Sequence, residues 1–298
     1  MRNRSPVAGI ATSCLLAAIV VAGCGGGNGG GSGTGGTGTG GGAPGGTTGQ
    51  GGSAGTGSGG HASGGTTGSG GQAATTLRIM PLGDSTTASI CYRSHLWQLL
   101  TQAGDTNFDF IGTRHGDPGC SFTAYDQDNE GHGGYIVSDV LKAAGTGVRP
   151  GGADSTDPYL SDARDLTTWF SGHPADIVLM HFGTNDVWNG IAPSTILQAY
   201  SAILTSLRAA NPKVHLMIAQ ITPLDPSGCT TCASGATTLN SMIPGWATSN
   251  ASAASPITVV DQYTGFDDAT DTRDGVHAND GGSLKIATNW FNALKPLF

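Results

Sequence analysis

A hydroxyl, an imidazole and a carboxylate in this sequence have the types and the order needed for acyl transfer. Ser85 lies in MPLGDSTTAS, directly after an apolar segment. A serine attacks a carbonyl carbon at neutral pH only when a base takes its proton, and His277 is the candidate base. Asp274, three residues earlier, could accept the Nδ1–H of that imidazole and so fix its tautomer. The competing interpretation makes Ser85 or Thr86 the N-cap of a helix that follows a strand.

Acyl transfer also requires hydrogen-bond donors for the oxygen that becomes negatively charged. The backbone N–H of Ser85 is one candidate donor. Asn185, in the segment GTND after a second apolar run, could donate through its side-chain amide. The segment NEGHGGY, residues 129–135, offers glycine N–H groups, which a substrate can approach closely because glycine has no side chain. These groups together predict a site for acyl transfer.

The elements that must position these groups alternate between strands and helices. Apolar runs predict strands at 77–82, 108–111, 176–182, 214–221 and 257–260, and helical patterns predict helices at 93–103, 137–144, 160–170, 194–210, 237–249 and 280–294. This alternation is typical of a parallel sheet covered by helices on both faces. Ligands of such sheets bind beyond the carboxyl ends of the strands, so we expect Ser85, Asn185 and His277 to converge there.

The motifs GDS, a later glycine, GTND and D-x-x-H, in this order, resemble those of the SGNH (GDSL-type) hydrolases. The segments MPLGDST, YRSHLWQLL, EGHGGY, HFGTNDVWNG and DGVHANDGG are more similar still to the acetylxylan esterases of carbohydrate esterase family three. The resemblance runs from about residue 77 to the C-terminus. It implies a three-layer α/β/α sandwich with a central parallel sheet, the flavodoxin-like SGNH fold. It also implies a serine esterase that removes O-acetyl groups from a polysaccharide such as xylan through an acetyl-enzyme, with no metal and no organic cofactor.

The resemblance also assigns roles to individual residues. The catalytic residues it implies are Ser85 as nucleophile, Asp274 as orienting acid and His277 as base, with Ser85, Gly134 and Asn185 as oxyanion donors. The glycine doublet at 133–134 could displace the donor by one position. The alternatives are another SGNH ester hydrolase (a lysophospholipase, a thioesterase or a peptidoglycan O-acetylesterase) and a non-catalytic carbohydrate-binding surface lipoprotein.

Five further side chains near these motifs could have structural rather than catalytic roles. We expect Asp84 to hydrogen-bond the turn around the nucleophile and Asp186 to brace its own loop. His132 could line the site or be an ordinary polar loop histidine. His181 lies within an apolar strand and is expected to be a hydrogen-bonded core histidine. Trp188 could stack on a sugar ring or pack in the core.

The chain divides into three segments by composition. Residues 1–24 have a basic start and an apolar run too short to span a membrane, which predicts a secretory signal. The segment ends in VAGC, which resembles a lipobox and implies lipidation of Cys24, so we expect an exported bacterial cell-envelope lipoprotein on the outer membrane, facing the periplasm or the cell surface. Residues 25–74 are rich in Gly, Thr and Ser and predict a flexible linker. Residues 75–298 are the predicted esterase domain.

Charge and cysteine content limit the partners of this domain. Without Arg2 and Arg4, 11 basic residues remain against 21 acidic ones, a formal charge of −10, and no Lys/Arg cluster occurs. This balance argues against nucleic acid. We expect a monomer whose partners are an acetylated polysaccharide and, through the lipid anchor, a membrane.

The predicted domain contains four cysteines, and an even number in an exported chain favours disulfides. Three pairings are possible, of which we expect Cys91–Cys120 and Cys229–Cys232. The alternative for CTTC, residues 229–232, is a redox or metal site. Its position in the turn-rich segment PLDPSGCTTCASG favours a structural disulfide.

Overall fold

The computed structural model describes residues 76–141 and 169–298. The predicted signal segment with Cys24, the linker, and all but the last two residues of the helix predicted at 160–170 lie outside the described residues. In the described part of the chain, no helix has the length and apolarity needed to cross a membrane.

A single sheet organises the described residues. Its strands follow one another in the order β3-β4-β1-β5-β6-β7, with β2 beside β1, and every pair is parallel except β3–β4. The strands are β1 Leu77–Gly83, β2 Phe108–Phe110, β3 Arg114–His115, β4 Asp128–Gly131, β5 Ile177–His181, β6 His215–Gln220 and β7 Ile257–Asp261. The last residues of β1 and β5, Gly83 and His181, are register partners, so the segments that follow them leave the sheet at the same edge.

Helices cover both faces of this sheet. The α-helices are α1 Ser85–Ala88, α2 Tyr92–Ala103, α3 Thr184–Trp188, α4 Pro193–Ala210, α5 Cys232–Asn250, α6 Asp268–Asp271 and α7 Asp280–Leu294, and 3₁₀ turns span Val137–Leu141 and Lys295–Leu297. In β5, Val178 and Met180 enter one core with α4 and α5, whereas Ile177 and Leu179 enter a second core with α2 and α7. Burial on both faces explains why the strand is apolar throughout. The predicted three-layer α/β/α sandwich is confirmed.

The differences between prediction and structure lie in the short elements. The helix predicted at 137–144 is, over its described part, a five-residue 3₁₀ turn. The helix predicted at 237–249 begins earlier, at Cys232, and continues through Pro244. The sequence patterns also missed β3, β4, α1, α3 and α6, which have two to five residues each and are too short to show a periodicity.

Candidate active site

The turn after β1 places Ser85 at the sheet edge. Its neighbours Asp84 and Gly83 cap the helix and form the turn, so the Ser85 side chain does neither. Asp84 is the N-cap of α1, and its Oδ1 accepts hydrogen bonds from the backbone N–H of Thr86 at 2.9 Å and from the Thr86 hydroxyl at 2.8 Å. A Cβ atom on Gly83 would collide with the carbonyl oxygen of His181, so glycine is required where the strand meets the turn. The interpretation of Ser85 or Thr86 as the N-cap is therefore wrong, and the Ser85 hydroxyl is available for another partner.

That partner is His277. Its Nε2 lies 2.8 Å from Ser85 Oγ, and its Nδ1 lies 2.7 Å from Asp274 Oδ2. The other carboxylate oxygen, Asp274 Oδ1, accepts from the backbone N–H groups of Val276 at 3.0 Å and His277 at 2.7 Å. Partial burial opposes ionisation of Asp274, but the hydrogen bonds from His277 outweigh it and hold the pKa of this carboxyl below its usual value. The carboxylate is thus ionised and oriented to hold the imidazole with Nδ1 protonated and Nε2 free to accept a proton.

Candidate oxyanion donors lie on the loops around this chain of hydrogen bonds. Within the described residues, the backbone N–H groups of Ser85 and Gly134 donate no hydrogen bond. Gly134 has a φ of +73°, in the turn closed by the bond from Tyr135 N–H to the His132 carbonyl at 3.1 Å. The Asn185 amide donates one bond to the Tyr135 carbonyl at 3.2 Å, which leaves its second N–H for a substrate.

Asp186 links α3 to the loop of residues 132–136 that carries Gly134, the oxyanion loop. We expected it to brace its own loop, but its oxygens accept the backbone N–H groups of Val137 at 2.8 Å and Ser138 at 2.9 Å. These residues begin the 3₁₀ turn that follows the glycine doublet. Asp186 is fully buried, and burial raises the pKa of its carboxyl above the usual value, against the effect of the two N–H donors. The residue next to Asn185 therefore fixes the backbone just after Gly134.

A buried acid–histidine pair supports the other side of the same loop. Glu130 and His132 are both fully buried, and Glu130 Oε1 lies 2.7 Å from His132 Nε2. Glu130 also accepts from the N–H and the hydroxyl of Thr113, each at 2.7 Å, and the His132 ring stacks on Trp169 at 4.1 Å. The His132 backbone N–H donates to the Gly83 carbonyl at 2.8 Å. His132 is therefore neither a site-lining nor an ordinary loop histidine. It connects the oxyanion loop to the turn of residues 83–85 that carries the nucleophile, the nucleophile turn.

Comparison with known proteins places this geometry in a family. A family model described as GDSL-like Lipase/Acylhydrolase matches residues 82–284. The chain belongs to this family. It is similar to the crystal structure of a carbohydrate esterase family 3 from Talaromyces cellulolyticus, with 30% identity, a TM-score of 0.62 and coverage of 74% of this chain and 97% of that one. It is also similar to a family 3 carbohydrate esterase of Clostridium thermocellum, with 26% identity, a TM-score of 0.57 and coverage of 75% and 97%. The resemblance inferred from the motifs is confirmed.

A longer curated protein also matches this GDSL-family chain. It is a multidomain esterase of Ruminococcus flavefaciens, 28% identical over an alignment of 235 residues that covers 74% of this chain. The chain spans 29% of the length of that relative.

Two buried polar groups of this GDSL-family domain lie next to the nucleophile turn without full hydrogen bonding. His181 is fully buried, and among the described residues neither of its ring nitrogens has a partner, so the expectation of a hydrogen-bonded core histidine is wrong. Burial lowers the pKa of His181 to about 4, which keeps the ring neutral. Asp84 is also fully buried, its Oδ2 has no partner in the described structure, and burial raises the pKa of its carboxyl to about 6.

Trp188 lies at the end of α3 and is 44% exposed, which removes the core-packing interpretation. It is three residues beyond Asn185, and residues at this spacing lie on the same face of a helix. The family domain therefore presents an indole surface beside one of its candidate oxyanion donors.

Both predicted disulfides are present in the family domain. Cys91 pairs with Cys120 at a Cα separation of 5.5 Å, and Cys229 pairs with Cys232 at 5.6 Å. The position of the second pair differs from the expectation of a loop, because Cys232 is fully buried and is the first residue of α5. The start of this helix was not predicted because the segment is rich in Gly, Ser and Thr and shows no helical periodicity of apolar residues. Among the described residues, no group of three or more His, Cys, Asp or Glu side chains is arranged to hold a metal ion.

Proposed function

We propose that the domain is a serine esterase that removes O-acetyl groups from a polysaccharide of the acetylxylan type. The observation that carries this proposal is the continuous hydrogen-bonded chain from Asp274 through His277 to Ser85, with 2.7 and 2.8 Å between successive atoms. A base within hydrogen-bond reach of a serine hydroxyl, itself oriented by a carboxylate, is the arrangement that nucleophilic acyl transfer requires.

The geometry supports a two-step reaction. Ser85 Oγ attacks the acetyl carbonyl carbon as His277 Nε2 takes its proton, and Asp274 stabilises the imidazolium that forms. The N–H groups of Ser85, Gly134 and Asn185 stabilise the negative oxygen of the tetrahedral intermediate. The intermediate collapses to an acetyl-enzyme as His277 returns the proton to the departing sugar oxygen.

Water completes the cycle. His277 takes a proton from a water molecule, whose oxygen attacks the acetyl-enzyme carbonyl, and the same N–H groups stabilise the second oxyanion. Collapse of this intermediate releases acetate as the proton returns to Ser85 Oγ. Each proton moves between Ser85, His277, water and the sugar, so the residues of this chain account for every transfer.

Two observations support a carbohydrate as the alcohol part of the ester. The exposed indole of Trp188 lies on the same helix as Asn185 and offers a flat apolar surface of the kind on which a sugar ring stacks. The similar structures from Talaromyces cellulolyticus and Clostridium thermocellum are described as family 3 carbohydrate esterases, and this chain covers 97% of each.

The test is to incubate purified protein with acetylated xylan, acetylated peptidoglycan and a lysophospholipid, and to measure the acid released from each. We expect acetate from xylan at a rate well above release from the other two substrates. The Ser85→Ala variant, checked for an unchanged melting temperature, is the control for non-enzymatic hydrolysis. Faster release from peptidoglycan or lysophospholipid would give the domain a different ester substrate, and no release from any substrate would favour a non-catalytic role.

A further inference from the structure

A cavity of about 270 Å³ adjoins the candidate catalytic residues and takes no part in the acyl transfer described above. It lies between the turn after α1, the loop that the Cys91–Cys120 disulfide ties down, and the start of α7. Residues that line it include Ser89, Arg273 and Asp280. A bound water molecule needs only about 10–15 Å³ of such space, so the cavity could receive more than a small acyl group.

The walls of this cavity are continuous with the catalytic residues. The backbone N–H of Ser89 donates to the Ser85 carbonyl at 2.8 Å, and Ala278 in the opposite wall follows His277 directly. Arg273, which precedes Asp274, donates its backbone N–H to the His277 carbonyl at 2.9 Å. The cavity is therefore lined by the same two chain segments that carry Ser85 and His277.

The cavity contains both a strong donor and a strong acceptor. The exposed guanidinium of Arg273 has one hydrogen bond in the described structure, to the Ser89 carbonyl at 3.3 Å, and most of its five N–H groups remain for a ligand. The carboxylate of Asp280 is 73% exposed and uses one oxygen to contact His95 Nε2 at 2.9 Å. The second oxygen can accept from a ligand.

This combination suits one class of ligand better than others. A sugar hydroxyl both donates and accepts, so neighbouring hydroxyls can bond to a guanidinium and a carboxylate at once. A fatty acyl chain would leave both charged groups without partners. A free anion would be drawn to Arg273 but repelled by Asp280.

We propose that this cavity is a subsite for a sugar residue next to the acetylated one in an uncharged glycan chain. Arg273 donates to the hydroxyl oxygens of that sugar, and Asp280 accepts from its hydroxyl groups. The disulfide between Cys91 and Cys120 fixes one wall, which lowers the cost of ordering the subsite when the glycan binds. This inference rests on the proposed function, since it requires a glycan ester as substrate.

The test compares two acetyl esters as substrates of the same protein. The value of kcat/KM is measured for an acetylated xylo-oligosaccharide and for 4-nitrophenyl acetate, which has no sugar, and the ratio of the two values is taken. We expect the Arg273→Gln and Asp280→Asn variants each to lower this ratio about tenfold, the usual effect of losing a hydrogen bond to a charged group. The loss should appear mainly as a higher KM for the oligosaccharide.

A bulky variant and a matched control complete the design. Ser121→Trp adds volume to the cavity lining without removing a charge and should lower the ratio in the same direction. Thr288→Ala, at a partly exposed position of α7 outside this cavity, should leave the ratio within twofold of the starting protein. Melting temperatures of all four variants show whether each one is folded.

The outcomes separate this inference from the proposed function. One outcome is that the starting protein deacetylates the oligosaccharide and the three cavity variants have the same ratio of kcat/KM values as the starting protein. The subsite proposal is then wrong, and the proposed function stands. If the starting protein hydrolyses 4-nitrophenyl acetate but no glycan ester, the subsite and the glycan substrate are both wrong. A selective fall of the ratio in the cavity variants, with the control unchanged, supports the subsite.

Discussion

Ser85 faces His277 because a neighbouring residue caps the helix that begins at Ser85. Asp84 accepts the N–H of Thr86, a task that would otherwise draw a serine hydroxyl back toward its own helix. The His277 ring is fixed in the same way, since Asp274 holds both its backbone N–H and its Nδ1. At the scale of residues, the reacting groups are oriented before a substrate binds.

We predict that Asn185→Ala lowers kcat by about 10²- to 10³-fold with little change in KM, because the variant lacks one donor to the oxyanion. Steady-state kinetics with a soluble acetyl ester measures the effect. Asn250→Ala removes an amide at the end of α5 and should retain full activity. An unchanged kcat in folded Asn185→Ala would remove Asn185 from the oxyanion site.

Asp84 gives stability a defined dependence on pH. Its pKa rises from 3.8 to about 6 on burial, so between about pH 4 and 6 the folded protein binds more protons at this site than the unfolded chain. The contribution of Asp84 to the free energy of unfolding therefore falls as pH rises through this window, and above it the cost of the buried charge is constant.

We predict that Asp84→Asn keeps the capping oxygen and removes this cost. The variant should match the starting protein near pH 4 and exceed its free energy of unfolding by about 1–3 kcal/mol above pH 6.5. Denaturant unfolding at several pH values measures the difference, with Asp105→Asn as a control at a partly exposed aspartate. A difference that does not change with pH would show that Asp84 does not titrate in this window.

At the scale of elements, loops with little periodicity complete the site. Gly134 lies on a loop held from three directions: Glu130 and His132 on one side, the Gly83 carbonyl beside the nucleophile, and Asp186 at the 3₁₀ turn. Two of these contacts join segments about 50 residues apart in the chain, Asp186 with Val137 and His132 with Gly83. The oxyanion loop therefore depends on tertiary contacts rather than on local propensity.

This dependence explains which parts of the site the sequence could predict. The long elements show their pattern directly, and α7 begins and ends at the predicted residues 280 and 294. The order of the motifs predicted Ser85, Asn185 and His277 at one sheet edge, because strand ends in a parallel sheet converge. The partners of Asp186 could not be predicted, since no local pattern indicates which distant N–H groups a buried carboxylate will accept. A weak signal did exist for the buried pair, because Glu130 and His132 are two residues apart, a spacing typical of one strand face.

We predict that the two disulfides contribute unequally to the free energy of unfolding. Cys91 and Cys120 close a loop with a sequence separation of 29, whereas Cys229 and Cys232 are three residues apart. In the chain-entropy model the larger loop contributes about 3.5 kcal/mol and the smaller about 2 kcal/mol. Double alanine variants of each pair, unfolded in denaturant without reductant, measure the two losses. An equal or larger loss for the Cys229–Cys232 pair would contradict this entropic account.

At the scale of the whole molecule, the sequence predicts the cellular location of the domain. The residues before the domain combine a signal-like start, the VAGC segment and 50 residues rich in Gly, Thr and Ser, and this organisation stays a prediction. We propose that the protein is an envelope lipoprotein whose linker gives the domain an r.m.s. reach of roughly 40 Å from the membrane. Such a reach would suit a polymeric substrate.

We predict that Cys24→Ser moves the protein from the membrane fraction to the soluble fraction of a bacterial expression host, because a serine cannot receive the lipid. Fractionation followed by immunoblotting measures the distribution. Cys14→Ser, within the apolar run of the predicted signal, is the matched control and should leave the protein in the membrane fraction. Membrane retention of Cys24→Ser would exclude lipidation at this cysteine as the anchor.

The most direct test of the account is to trap the covalent enzyme. The protein is treated with a phosphonate ester that modifies activated serines, digested, and mapped by mass spectrometry beside the His277→Ala variant. We predict stoichiometric modification of Ser85, loss of esterase activity in proportion to modification, and little labelling without His277, because the base that activates Ser85 is then absent. Labelling at another serine, or activity that persists when Ser85 is fully modified, would contradict the account.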